Sequence, residues 1–298
     1  MKILKNSVVN TLSACLLLTL GGGGIGLITY VAYATSCSNS TPPEPTPPEG
    51  SIPFTTEYFD WTSNGNQLTI DGLKNDIDLS GYNTLWIPPS CVSDGIQYRV
   101  IAIGDDAFYQ KFSSSSNPSI IKLDLVNASN LLNIGDRAFF ECSGFNGSLT
   151  IPNSVTSISL GAFVDCFGFT GSLTIPNSVT SIGAGAFMFC SGFTGSLTIP
   201  NSVTDIDDYA FYGCSSFNGT LTIPDSVTSI GNFVFEYCSG FNTINVSDWT
   251  TIPTIGNYAF LYFNTEGGIV LVPANYDDLG ITISTFKGLP STWQLSPV

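Results

Sequence analysis

Four successive stretches, beginning at Ser148, Ser172, Ser196 and Thr220, repeat one another at a spacing of 24 residues. The second of them, with the glycine that precedes it, reads GSLTIPNSVTSIGAGAFMFCSGFT over 171–194. A looser copy begins near Lys122, an earlier one runs from Leu85 to about Ser119 with an insertion around SDGIQYR, and degenerate copies follow Thr243, which gives about seven or eight coils. A fixed period of this length signals one supersecondary unit that cannot bury its apolar face alone and gains a core by stacking on its neighbours. The expected fold class is therefore an α/β repeat solenoid, with a parallel β-sheet on one side and short helices or turns on the other.

Within one coil, Leu149 and Ile151 alternate with Ser148 and Thr150, the period-two pattern of a strand with one buried and one wet face. Pro152 ends that strand, and Val155 and Ile158 continue inward along an extended turn. Ala162, Phe163 and Cys166 fall at i, i+1 and i+4, one side of a short helix, and Phe169 closes the coil. Asp105, Asp136, Asp208, Asn232 and Asn257 share one aligned position at the expected helix start, where such residues accept hydrogen bonds from free amides, so the acids among them read as caps. Gly171, Gly195 and Gly219 stand where the chain turns back, a place that suits positive φ. The aromatic-rich FTTEYFDWTSNGNQLTIDGL over 54–73 reads as a hairpin that caps the first coil.

The units LTIPNSVTSIGAGAFMFCSGF and LTIPDSVTSIGNFVFEYCSGF, with their shared IP..V..I...AF..C framework, resemble the BspA-like leucine-rich repeats of bacterial surface proteins. The resemblance runs from Leu85 to Phe260. It implies a leucine-rich-repeat solenoid displayed on the cell exterior, without catalysis, serving adhesion or the binding of an extracellular protein or glycan. Phe145, Phe169, Phe193, Phe217 and Phe241 stand where that family usually has leucine near the coil end.

Cys142, Cys166, Cys190, Cys214 and Cys238 recur at the 24-residue period and are expected to form one internal column. Side chains in register on adjacent coils point the same way at about 4.7–4.9 Å, whereas a disulfide needs Cβ atoms at about 3.8 Å with converging vectors. Metal ligands must likewise converge on one point. The column therefore reads as free thiols filling a core, with neither a metal site nor a cofactor site expected, and Cys91 reads as core too. Histidine is absent from the chain, which removes the usual Ser and Cys triads. The close acids Asp205, Asp207 and Asp208 leave open a solvated turn with a cap, a weak calcium site, or carboxylate chemistry in a secreted enzyme or enzyme subunit. LPST at 289–292 lacks the hydrophobic span and basic tail of a wall-sorting signal.

The outward strand positions Ser148, Thr150, Ser172, Thr174, Ser196, Thr198, Thr220 and Thr222 form two hydroxyl columns. Threonine suits an exposed strand on conformational grounds alone, but these residues are also the candidate binding face for a protein or glycan. A flat array of the same kind would suit an ice-binding solenoid, a remote alternative. The formal charge of −15, with no Lys or Arg between Arg137 and Lys287, leaves most of the repeat region without means to neutralise phosphates, and nucleic acid is rejected as a partner.

Residues 1–36 read as a signal peptide or signal anchor: Lys2 and Lys5 precede a largely apolar run of about 27 residues from Val8 to Ala34. AYATSC ends in Cys37, a candidate for lipidation; AYA at 32–34 is also a signal-peptidase pattern, and an uncleaved anchor would place the repeats outside equally well. Residues 37–50 are a proline-rich linker whose lack of apolar side chains precludes a core. Residues 51–84 form the cap and 85–298 the solenoid. The expected location is the extracellular face of the envelope, held to the membrane through the N-terminal lipid or anchor. Metabolic labelling with a fatty acid is expected to mark the full chain and to fail on Cys37→Ala; label retained in that variant would remove Cys37 as the anchor.

Overall fold

The computed structural model describes residues 46–113, 115–117 and 119–298. Residues 1–36, expected to direct export, Cys37 and most of the proline-rich linker lie outside the described residues. The fold is a parallel β-solenoid of seven coils behind an N-terminal cap. Each regular coil contributes two very short strands, such as Leu149–Thr150 and Ser157–Ile158. The second of these, expected as an extended turn, builds the longest sheet. Its parallel path runs through Gln67–Leu73, Ile96–Ile103, Asn133–Ile134, Ser157–Ile158, Ser181–Ile182, Asp205–Ile206, Ser229–Ile230 and Thr254–Ile255, with each Ile in register on the next.

The first strand of each coil pairs less continuously. Thr84–Trp86 pairs with Lys122–Asp124 and Leu149–Thr150 with Leu173–Thr174, and a separate five-stranded sheet starts at Leu197–Thr198 and ends at Gln294–Pro297. At the break after Thr174, Leu173 and Ile175 are 6% and 8% exposed, while Leu197 and Ile199 are fully covered.

Two hairpins close the N-terminal end. Phe59–Asn64 folds back on Gln67–Leu73 through Gly65 at φ 60. The SDGIQYR insertion is the second: Ser90–Ser93 pairs with Ile96–Ile103 around Asp94 and Gly95, both at positive φ, as an Asp-Gly hairpin turn requires.

The segment expected as a short helix is a run of turns. Ala138, Phe140 and Cys142 each donate a backbone hydrogen bond to the residue three before, while Arg137, Phe139 and Glu141 donate to Leu160, Ala162 and Val164 of the next coil. Alternate amides are thus spent within and between coils, which no α-helix allows. The geometry places two left-handed residues in every coil, among them Arg137 and Glu141, Gly161 and Asp165, Tyr209 and Gly213, and Phe233 and Tyr237. α-Helix occurs in the described residues at Tyr276–Leu279, in the C-terminal segment.

The glycines expected at positive φ divide. Gly195 adopts φ 81, but Gly171 and Gly219 do not. They are needed for close approach: a Cβ on Gly171 would stand 2.3 Å from Ser148 Oγ, and one on Gly219 would stand 2.4 Å from Ser196 Oγ.

Inside the coils, side chains pile in files. Phe139, Phe163, Phe187, Phe211, Phe235 and Phe260 stack face to face at 5.1–5.6 Å. A second file runs from Phe145 through Phe169, Phe193, Phe217 and Phe241 to Phe263. Each such contact adds about 0.5–1.5 kcal/mol beyond the area it buries.

The five periodic cysteines are buried thiols, as the register argument requires. Cys166 Sγ donates to the carbonyl of Phe139 at 3.0 Å, Cys190 to Phe163 at 2.9 Å and Cys214 to Phe187 at 3.1 Å. Each of those carbonyls already accepts the amide three residues on, so the thiol fills its second lone pair while packing as an apolar group. Burial raises the pKa of all five, Cys142 to about 12. The unfolded chain ionises these thiols near pH 8.5–9 and the folded chain does not. Their stabilisation is therefore complete below that range and is lost as pH rises from about 9 toward the folded pKa values. Unfolding free energy measured by denaturant titration is expected to fall across pH 9–11, less steeply in Cys190→Ala; equal slopes would contradict the assignment.

Candidate functional site

Two exposed faces run along the solenoid, and they differ in kind. On the strand side, Ser148, Thr150, Ser172, Thr174, Ser196 and Thr198 are exposed, whereas Thr220 and Thr222 are half-buried. Part of this face is engaged in holding coils together. Ser148 Oγ accepts the Ser172 amide at 3.1 Å and the Ser172 hydroxyl at 3.3 Å, and Ser196 Oγ accepts the Thr220 amide at 3.0 Å. The serine column is thus partly a structural ladder, and the break after Thr174 interrupts the hydroxyl array. The threonine column Thr150, Thr174 and Thr198 keeps its outward hydroxyls.

The acids expected as helix caps serve the same purpose. Asp105 Oδ1 accepts the amide of Asp136 at 2.8 Å, Asp136 that of Leu160 at 3.2 Å, Asp208 that of Asn232 at 2.6 Å, and Asn232 Oδ1 that of Asn257 at 2.8 Å. Each binds the equivalent residue one coil on, so the column bridges coils and caps no helix. Asp205 accepts from the Thr204 hydroxyl at 2.6 Å. Burial, then the neighbouring charges of Asp205 and Asp208, raise the pKa of Asp207. Two of the three clustered acids are therefore engaged in hydrogen bonds, and no group of three or more His, Cys, Asp or Glu among the described residues is placed to hold a metal ion. A cavity of about 460 Å³ lies between the cap and the first coil, where Lys74, Asn75, Asp76 and Lys111 line it.

The turn side carries residues that the periodicity did not single out. Its left-handed positions hold side chains that differ from coil to coil: Asp106, Arg137, Gly161, Gly185, Tyr209, Phe233 and Tyr258 in one file. At the N-terminal end, Arg137 donates to both carboxylate oxygens of Asp106 at 2.8 and 2.7 Å, which lowers the Asp106 pKa. At the C-terminal end the turn side is aromatic. Tyr209 stacks on Phe233 at 4.9 Å and Phe233 on Tyr258 at 5.4 Å; Tyr237 stacks on Tyr262 at 4.8 Å and meets Tyr212 edge-on at 5.5 Å. Phe189 adds an edge contact to Tyr212. Tyr258 and Tyr262 remain 53% and 51% exposed. The signal for this face was the string of aromatics beside the buried Phe and Cys, which a helical period files as mere surface.

Parallel coils, internal phenylalanine and thiol files and side-chain ladders between backbones define the class: a leucine-rich-repeat solenoid. A family model described as BspA type Leucine rich repeat region, in six copies, matches residues 101–215 and 194–275. The chain belongs to that family. A T. pallidum leucine rich repeat protein of known crystal structure is similar in fold, with a TM-score of 0.58 at 20% identity over 82% of this chain and 99% of that one. A leucine rich cell surface protein from Faecalibacterium prausnitzii A2-165 matches at 25% identity with a TM-score of 0.46, over 67% of this chain and 55% of that one. No curated protein matches the chain.

The two faces should respond differently to substitution. In the left-handed region a bulky side chain costs about 1–2 kcal/mol that glycine avoids, and stacking returns about 0.5–1.5 kcal/mol. Tyr209→Gly is therefore expected to change stability by less than about 1 kcal/mol. Asp208→Ala, which leaves the Asn232 amide without its acceptor, is expected to cost about 1–3 kcal/mol. Chemical denaturation of both variants tests this, and a larger loss for Tyr209→Gly would contradict it.

Proposed function

We propose that the chain is a noncatalytic interaction scaffold of the cell exterior, which presents its solenoid to an extracellular protein or glycan and so mediates adhesion. The observation that carries this reading is the division of side chains. Inward groups are spent on the core, and Asp105, Asp136 and Asp208 on the backbone of the next coil. What the repeats offer to solvent is a long pair of faces on a ladder-braced frame. A carboxylate enzyme has less support, because general acid–base work needs a paired and tuned site and Asp207 is left without a free partner acid at its side.

No helix among the described residues is long and apolar enough to cross a membrane. Attachment therefore falls to the N-terminal segment in this reading, through Cys37 or an anchor, with 37–50 as the spacer. The full chain immobilised on a surface is expected to retain at least one component from a panel of extracellular matrix proteins, surface glycans and partner-cell envelopes. Binding should survive Asp207→Asn. A chain that holds nothing in the panel, or that turns over a substrate in an Asp207-dependent way, would overturn the proposal.

A further inference from the structure

The aromatic patch surrounds an unusual carboxylate. Glu236 is 7% exposed as a residue, its carboxylate oxygens keep some contact with solvent, and no hydrogen bond or ion pair meets its side chain among the described residues. In its file it lies between Tyr212 and Leu261, and its own turn carries Phe233 and Tyr237. Burial holds its pKa above the usual carboxylate range, and burial, followed by the charge of Glu236, raises that of Tyr212. An unpaired carboxylate on so covered a residue is costly. The fold does not require it, since the equivalent positions hold Val164, Met188 and Tyr212.

The aromatic side chains around it are costly as well. Phe189, Tyr209, Phe233, Tyr237, Tyr258 and Tyr262 all occupy left-handed backbone at φ 52–61, where bulky residues are outliers. Gly161, Gly185 and Gly213 show that the same positions accept glycine. Two independent departures from the least strained choice, rings at left-handed positions and an unpaired acid among them, thus coincide on one surface. No Lys or Arg occurs anywhere from 138 to 286 to neutralise it.

Glu236 offers carboxylate oxygens that still reach solvent and have no partner, and the half-exposed Tyr237, Tyr258 and Tyr262 stand on the same face, so a cation finds there a charge to pair with and ring surface to pack on. We propose that the turn face from Phe189 to Tyr262 is a docking surface for a cationic, arginine-bearing protein segment, whose guanidinium group pairs with Glu236 and packs against the surrounding tyrosines. Arginine fits better than lysine because its planar head stacks on rings and binds a carboxylate through two donors at once. This deepens the scaffold reading and rests on it, by naming the chemistry of one partner and the face that takes it.

The test uses the full chain and a fluorescent arginine-rich peptide, followed by anisotropy at physiological ionic strength, where diffuse attraction to the acidic surface is screened beyond about 8 Å. The same peptide with citrulline in place of arginine keeps the shape and removes the charge. Binding is expected for the arginine peptide and not for the citrulline one. Glu236→Gln should weaken binding at least about tenfold, the scale of a charge-assisted hydrogen bond, while leaving the free protein equally or more stable. Tyr237→Asn and Tyr258→Asn, which keep both the net charge and a residue tolerant of positive φ, should each weaken it about two- to fivefold. Thr150→Val on the strand face should change nothing.

Absence of peptide binding, equal binding of the citrulline form, or indifference to Glu236→Gln would overturn the proposal. So would a neutral oligosaccharide whose binding is lost in the tyrosine variants, since the patch would then belong to a glycan. If an extracellular component binds the wild-type chain and all these variants alike, the docking surface fails and the scaffold reading stands. If the peptide binds but the panel retains nothing, the reverse holds.

Discussion

Everything in this molecule depends on alternate amides of each turn run donating to the coil that follows. A strand of two residues, the commonest length here, has too few ladder bonds to hold register alone. The turn run supplies three more bonds per coil, from Arg137, Phe139 and Glu141 in one case and from Gly161, Phe163 and Asp165 in the next. These bonds fix equivalent residues opposite one another, and the internal files follow from that. The period is a consequence of the register and not a rule of its own. Thr220 pairs with Thr243 while Ser229 pairs with Thr254, so the step to the next coil is one residue shorter than the period at the first strand and one residue longer at the second. What is preserved is the alignment of donors with acceptors.

Register explains why side chains of such different types do the same work. A carboxylate at Asp208, an amide at Asn232 and a hydroxyl at Ser148 each accept the backbone N–H one coil on. Thr156, Thr180 and Thr228 work in the opposite sense, donating to carbonyls of the coil before. The thiol column donates inside, where a hydroxyl would be less at home among phenylalanines. The accepting side chains settle backbone amides of the next coil, while the threonine hydroxyls and thiols add a second hydrogen bond to carbonyls that already accept an amide. Cysteine is suited to its column because it is a small apolar filler with one weak donor, and its column has one carbonyl lone pair per coil to satisfy.

The inward half of this design was legible in the sequence. Leu149, Ile151, Val155, Ile158, Phe163, Cys166 and Phe169 all point inward as their spacing requires, and all are buried. The geometric objection to disulfides holds for the same reason. The turn run was not legible, because glycine marks its left-handed positions only at Gly161, Gly185 and Gly213, while residues such as Arg137, Tyr209 and Phe233 at the equivalent places do not announce positive φ. Ala162, Phe163 and Cys166 satisfy a helical period equally well, so periodicity had no means to separate a helix from stacked turns. The acids at the start of that segment were then misassigned with it. By contrast Asp94-Gly95 is an open hairpin signal, and it was passed over because it interrupted the repeat. Gly171 and Gly219 look like turn glycines in sequence, yet their constraint is the neighbouring serine of the previous coil, a contact between residues far apart in the chain.

The same logic says where specificity resides. The serine column at Ser148 and the threonine column at Thr156 bond to adjacent coils at more than one step, whereas the acid column at Asp136 is interrupted by Leu160 and Ala184. The serine and threonine columns are nearly uniform, and uniform columns carry little information for a partner to read. The turn side varies at its left-handed side chains, because the backbone there makes the inter-coil bonds whatever the side chain is. A salt bridge at Asp106 and Arg137, glycines at 161 and 185, and stacked rings from Tyr209 to Tyr258 therefore follow one another in a single file without disturbing register. Freedom from the ladder is what permits that variety, and variety at fixed spacing on a braced frame is what discrimination between partners requires.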